Sequence, residues 1–323
     1  MDMRIPDKLQ KGDEIRVIAP SRSATILSEE GIAQAKKRLE DLGFMVTFGK
    51  HIFESDLQFS ATIEHRVEDI HDAFRDKKVK GILTVIGGFN CNELLPYLDY
   101  DLIKANPKIL CGYSDITALA TAITTKADFI TYSGPHFSSF QMDKLQEYQT
   151  EYFQKCLMES KEFIVEPSDV WTDDAWYLDQ ENRQFEPGGW KVYQEGEAKG
   201  QLFGGNLCTL NLLQGTEYMP NLADSILFVE DDELTIPETF ARDLTSLLQT
   251  AGSIKALVIG RFQKASKMSE EQLLFILDKH PSLKKIPVLY NVDFGHIQPF
   301  FTFPIGGEVE IDTMTHGMKI TTF

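Results

Sequence analysis

The chain has 323 residues, 42% of them hydrophobic, with 32 Lys plus Arg against 49 Asp plus Glu for a formal charge of −17. Twenty-two Phe and ten Tyr exclude a disordered chain, and the length suits two domains that each bury a core. The acid excess excludes nucleic acid as a main partner, and no apolar run approaches the roughly 18 residues of a membrane span, so a cytoplasmic protein with a small-molecule partner is expected.

The first residues, Met1 to Lys8, contain no apolar h-region, so no secretory leader is read there. From Glu14 to about Thr131, short β-branched runs alternate with amphipathic stretches. Strands are expected at Glu14–Ile18, Phe44–Phe48, Gly81–Ile86, Lys108–Cys111 and Phe129–Thr131. Between them, Glu29–Asp41 and Thr62–Phe74 carry apolar residues at three- and four-residue steps, the helical period. Such a βαβ series makes a parallel sheet, and parallel sheets bind ligands beyond the carboxyl ends of their strands.

The segment 166–199 changes character: Trp171, Trp176 and Trp190 lie among Asp, Glu, Gly and Pro without periodicity. A long irregular stretch of that kind is functional or disordered, and its aromatic content favours function. Beyond it, Ser225–Val229, Ala256–Ile259, Val288–Val292, Val309–Ile311 and Met318–Thr322 read as strands, with helices at Pro237–Thr250 and Ser269–Asp278. The expected layout is an α/β domain over 1–165, an insertion over 166–199 and a sheet-rich α+β domain over 200–323. Cys91, Cys111, Cys156 and Cys208 are widely spaced and read as free thiols.

The sharpest local feature is Gly112-Tyr113-Ser114-Asp115, where an apolar strand ends and a helix opens at once. A serine on such a turn exposes its hydroxyl near the positive end of the helix dipole, as a nucleophile requires. An N-cap serine is the competing reading, because Ile116 stands where the last Gly of G-x-S-x-G would be. Gly87-Gly88-Phe89-Asn90 follows another strand and admits close backbone approach, but it matches no phosphate-loop motif. Among the histidines, His51, His65, His71, His280 and His316 read as surface residues. His136 follows a strand and could line a pocket, and His296 is the best base candidate, just past an apolar strand and beside Gly295. Glu230, ending Ile226-Leu227-Phe228-Val229-Glu230, is placed to orient an imidazole, or is simply one member of the acidic turn 230–233, which lacks the alternation of a calcium loop.

Together, Gly87-Gly88-Phe89-Asn90, Gly112-Tyr113-Ser114-Asp115, Gly204-Gly205-Asn206-Leu207, the strand ending in Glu230, and Gly295-His296 with Phe303-Pro304-Ile305-Gly306 resemble the LD-carboxypeptidase family of serine peptidases. Asn90–Tyr100 and the Trp-containing insertion resemble its microcin C immunity branch rather than the murein tetrapeptide carboxypeptidases. The resemblance implies a glutamine amidotransferase-like, Rossmann-like N-terminal domain and a sheet-rich C-terminal domain. It also implies a triad of Ser114 (nucleophile), Glu230 (orienting acid) and His296 (base), with the N–H groups of Gly88 and Asp115 as oxyanion hole. No metal or organic cofactor is implied, and a homodimer is. In that branch the scissile amide belongs to a peptidyl- or aminoacyl-nucleotide analogue on which tryptophans stack, which makes Trp171, Trp176 and Trp190 candidates; Asn206 is a pocket candidate or a turn asparagine. Two alternatives remain: trimming of murein tetrapeptide, and non-catalytic binding of a small ligand.

Overall fold

The computed structural model describes residues 3–315 and 317–323, so the turn expected at His316 lies outside the described residues. The first half alternates β1 (Glu14–Ile18), α1 (Glu29–Asp41), β2 (Met45–Phe48), α2 (Ile63–Arg75), β3 (Val79–Thr84), α3 (Tyr100–Ala105), β4 (Ile109–Cys111), α4 (Ile116–Ala127) and β5 (Thr131–Ser133). Side chains start the two amphipathic helices: Ser28 accepts the Gly31 N–H and Thr62 the His65 N–H, satisfying donors a first turn leaves free. α5 (Gln146–Leu157) and β6 (Phe163–Val165) follow. The insertion holds only β7 (Val170–Trp171), β8 (Glu186–Pro187) and β9 (Lys191–Gln194). The second half runs β10 (Glu197–Asn206), α6 (Leu207–Asn211), β11 (Ile226–Glu230), α7 (Pro237–Thr250), β12 (Ala256–Gly260), α8 (Glu270–Asp278), β13 (Val288–Val292), β14 (Phe303–Ile305), β15 (Glu308–Asp312) and β16 (Gly317–Thr322).

Two sheets result. The first has the order β14-β5-β4-β3-β1-β2, with β1 to β5 parallel and β14 antiparallel at one edge. The second has the order β6-β16-β15-β10-β11-β12-β13-β9; β10 to β13 are parallel and the outer strands antiparallel. The two halves exchange edges. β14, late in the chain, completes the first sheet, and β6, from before the insertion, borders the second.

Fully buried phenylalanines join the sheets. Phe228 of β11 lies 5.1 Å from Phe303 of β14 and 5.5 Å from Phe294, which lies 5.9 Å from Phe301. Each such ring stabilises by roughly 1.5–3 kcal/mol through burial, so the interface is a core in its own right. β10 is absent from the sequence-based elements because its glycines read as a turn. In the fold they permit close packing: a Cβ at Gly204 would lie 1.8 Å from the Phe228 carbonyl oxygen, and φ there is +145°.

Candidate active site

Ser114 follows β4 at the carboxyl edge of the first sheet, Glu230 ends β11, and His296 follows β13. The carboxyl ends of the two parallel sheets therefore converge on one point, which is where open α/β sheets place their ligands. His296 Nδ1 lies 2.7 Å from Glu230 Oε2, and His296 Nε2 lies 2.9 Å from Ser114 Oγ. A carboxylate only accepts, so Nδ1 carries the hydrogen; the neutral ring then presents the Nε2 lone pair to the Ser114 hydroxyl.

Ser114 has φ +61°, a left-handed conformation costly for a non-glycine residue. Its hydroxyl bonds His296 and does not cap α4, whose N-cap is Asp115. Small neighbours permit the tight turn: a Cβ at Gly87 would lie 2.9 Å from the Ser114 Cβ. The Asp115 carboxylate has a separate task, accepting from Ser21 Oγ (2.6 Å) and from the Asn90 and Cys91 N–H groups (3.0 and 2.9 Å). Those bonds pin the Gly87–Asn90 turn, and with it Gly88, against the start of α4. Burial raises the Asp115 carboxyl above its ordinary value although these donors oppose the rise.

Glu230 is 2% exposed. Its side chain passes over Gly295 (φ +96°), where a Cβ would lie 2.4 Å from Oε2. Burial lowers the basicity of His296, but the Glu230 carboxylate and then Asp232 and Asp231 outweigh it, so the imidazole titrates above its ordinary value. Asp231 is the opposite case. Burial and the neighbouring Glu230 charge push its carboxyl up to about 7, and its Oδ2 has no partner. His136 bonds Thr84 Oγ1 through Nδ1 (2.7 Å), stacks on Tyr113 at 4.3 Å and is 1% exposed. Burial, then the His296 charge, pull it down to about 3, so it stays neutral behind the site rather than lining it.

The structure separates the remaining candidates. Asn206 ends β10 in register with Glu230; its Oδ1 caps α6 through the Thr209 N–H (3.1 Å), and its Nδ2 is buried without a partner. The Oδ1 contacts fit the turn reading, and Nδ2 is the end of the amide left for the pocket reading. Trp190 is buried and donates Nε1–H to Asp293 Oδ2 at 2.8 Å; Asp293 also accepts the Ser168 N–H (2.9 Å) and pairs with Arg261 (3.5 Å). Trp171 is buried beneath Arg261, 4.8 Å from the ring centre. Trp190 holds the insertion to the loop that carries His296 directly and Trp171 does so through Arg261, an arrangement extended by mutual Thr172–Gln298 backbone bonds of 2.8 Å. Only Trp176 of the three is half-buried, with exposed Tyr177 beside it. Asp293 and Asp115 escaped the sequence reading as supports; their position beside the two key residues was the available signal. The four cysteines are free, Cys91, Cys111 and Cys156 buried and Cys208 half-buried.

The chain belongs to the LD-carboxypeptidase family: the family's N-terminal domain matches residues 15–134 and its C-terminal domain residues 199–311. It is a hydrolase of the carboxypeptidase class. YocD of Bacillus subtilis is 51% identical over 316 residues, 97% of each chain. The crystal structure of an MccF-like protein from Bacillus anthracis is 52% identical and superposes with a TM-score of 0.97, covering 99% of this chain and 100% of that one. The microcin C7 self-immunity protein MccF of Escherichia coli is 32% identical over 97% of this chain and 94% of its own. A structure of MccF with glutamyl sulfamoyl guanosine superposes with a TM-score of 0.87 at 31% identity, covering 98% of each chain. Among the described residues, no helix is long and apolar enough to cross a membrane.

Proposed function

We propose that the protein is a serine peptidase that hydrolyses the amide of a peptidyl- or aminoacyl-nucleotide analogue of the microcin C type. The observation that carries the catalytic part is the unbroken Ser114–His296–Glu230 hydrogen-bond chain ending on a serine in strained backbone. In this reading His296 takes the Ser114 proton as Oγ attacks the scissile carbonyl, and Glu230 stabilises the imidazolium that forms. The N–H groups of Gly88 and Asp115 stabilise the oxyanion, held in place by the Asp115 carboxylate. His296 then protonates the leaving amine, and water attacking by the same route releases the acyl group. Similarity to MccF, whose structures hold aminoacyl sulfamoyl nucleosides, supports the substrate class, and Trp176 is the residue proposed to stack on the base.

The test is mass spectrometry of the purified protein beside Ser114→Ala, each incubated separately with an aminoacyl sulfamoyl adenosine and a murein tetrapeptide. Serine-dependent cleavage of the adenosine compound supports the proposal. Cleavage of the tetrapeptide alone assigns the protein to cell-wall peptide trimming, and cleavage of neither leaves binding without catalysis. Deleting 166–199 would not discriminate these substrates, because the insertion supplies Trp190 and Ser168 to Asp293, three residues before His296.

A further inference from the structure

The turn after β2 was expected to leave His51 on the surface, yet His51 is 5% exposed. The reason is Asp69 of α2, whose carboxylate accepts the N–H groups of Lys50 (2.9 Å) and His51 (3.0 Å) and clamps the turn onto the helix. His51 thereby stacks on His65, with ring centres 3.9 Å apart and planes 11° from parallel. Both rings point Nδ1 at one carboxylate: Glu54 Oε1 lies 2.6 Å from His51 and Glu54 Oε2 2.5 Å from His65. An acceptor-only group requires hydrogens on both Nδ1 atoms, which leaves lone pairs on both Nε2 atoms of the neutral rings. His51 Nε2 faces Glu68 Oε2 at 3.1 Å, a contact that needs either a second hydrogen on the ring or a cation between the two.

We propose that His51, His65 and Glu68 form a binding site for a divalent transition-metal ion of the zinc class, with Glu54 orienting both imidazoles. Ligand atoms of the three already lie within 4.8 Å of one another. Tetrahedral zinc ligands sit about 3.4 Å apart and imidazoles bind in their ring planes, so closure needs a movement of about 1.5 Å and a turn of the His65 ring out of its stack on His51. Rotation of His65 and Glu68, whose side chains are 41% and 43% exposed, supplies it. Two imidazoles and one carboxylate suit zinc, cobalt or nickel rather than calcium or magnesium, and a carboxylate behind each imidazole is the usual support of such sites. The site is independent of the triad. Its effect is structural: the same turn carries Gln58 and Ser60, which bond the Asn90 side chain in the Gly87–Asn90 turn.

The experiment is calorimetric titration of the EDTA-treated, dialysed full chain with Zn2+, and visible absorption with Co2+. Both are made in a His296→Ala background so that the triad imidazole cannot contribute. One Zn2+ per chain with a Kd at or below about 1 μM is expected, weakened at least tenfold by His65→Ala and by Glu68→Gln. Zinc should raise Tm in the parent and not in the two variants, with circular dichroism confirming that each is folded. Failure of the parent to take up an equivalent of either ion overturns the proposal and assigns a proton, as imidazolium, to the His51–Glu68 contact. Unchanged affinity in both variants overturns it as well, since the ion would then sit elsewhere.

Discussion

Replacing Glu230 by Gln tests the proposed division of labour in the site, because it keeps the shape of the side chain and removes its charge. In the wild type the carboxylate lies 2.7 Å from His296 Nδ1 and is 2% exposed. With charge centres about 4 Å apart and an effective dielectric constant of about 20, the pair is worth about 4 kcal/mol to the imidazolium that forms during attack. Loss of that amount corresponds to a fall of about 1,000-fold in kcat/KM. The pH profile gives a second readout. The general base must be neutral, so wild-type activity falls as pH drops through the His296 value, which Glu230 holds above the ordinary 6.5. Without the carboxylate that acid limb moves to lower pH. Steady-state hydrolysis of an aminoacyl sulfamoyl adenosine between pH 5 and 9 measures both. A loss under tenfold, or a limb that stays in place, would refute the assignment of Glu230 as the group acting through His296.

Gly295→Ala places a Cβ 2.4 Å from Glu230 Oε2 at a φ of +96°, so a loss of at least about 100-fold in kcat with a retained circular dichroism spectrum is expected. Asp231→Asn addresses stability. The folded-state carboxyl titrates at about 7 against an ordinary 3.8, so the native state holds the extra proton, and wild-type stability falls as pH rises from about 4 to 7. The variant lacks that slope, and its Tm advantage over the wild type should be larger at pH 8 than at pH 4.5; an equal difference at both would sink the idea. Trp176→Ala removes a proposed stacking face worth about 1–3 kcal/mol, which predicts a KM for a sulfamoyl adenosine substrate raised about 5- to 150-fold with kcat little changed.

How much of this was legible in the sequence follows the physics of each signal. α1, α7, β1 and β13 fall where the pattern placed them, because the helices bury one apolar stripe and the strands are short apolar runs buried on both faces. β5 begins two residues later than expected: Phe129 instead forms a bridge with Arg4, and the sheet pairing starts at Thr131. β10 and β14 were hidden because Gly204, Gly205 and Pro304 are poor strand formers whose places are set by close contacts with another element. At the site, Ser114, Glu230 and His296 were legible as candidates because each lies at or just beyond the end of an apolar strand, but that signal left the cap and acidic-turn readings open, and only the family resemblance grouped the three. The fates of Trp171 and Trp190 were not, since an irregular loop has no period to show which face is buried. His51 was misread for the same reason: only Asp69, in the following helix, determines that the turn folds inward.

The site's geometry depends on the junction between the sheets more than on either sheet alone. Ser114 belongs to one sheet, Glu230 and His296 to the other, and catalytic alignment tolerates about 0.5 Å. Such a tolerance requires the sheets to move as one body, and three features provide for it. The Asn206 N–H donates to Thr117 Oγ1 at 3.0 Å, tying the end of β10 to the first turn of α4, three residues past the serine. At Gly205 a Cβ would meet Thr117 Oγ1 at 2.5 Å, so the strand and helix touch through backbone. β14 and β6 are exchanged between the sheets, and the Phe228, Phe294, Phe301 and Phe303 rings fill the seam. Gly205→Ala would therefore separate Ser114 from His296 while leaving every residue of the proposed triad in place. The Gly-Gly-Asn stretch is best understood as the clamp that fixes the two sheets to each other at the site, and its side-chain amide as a secondary feature.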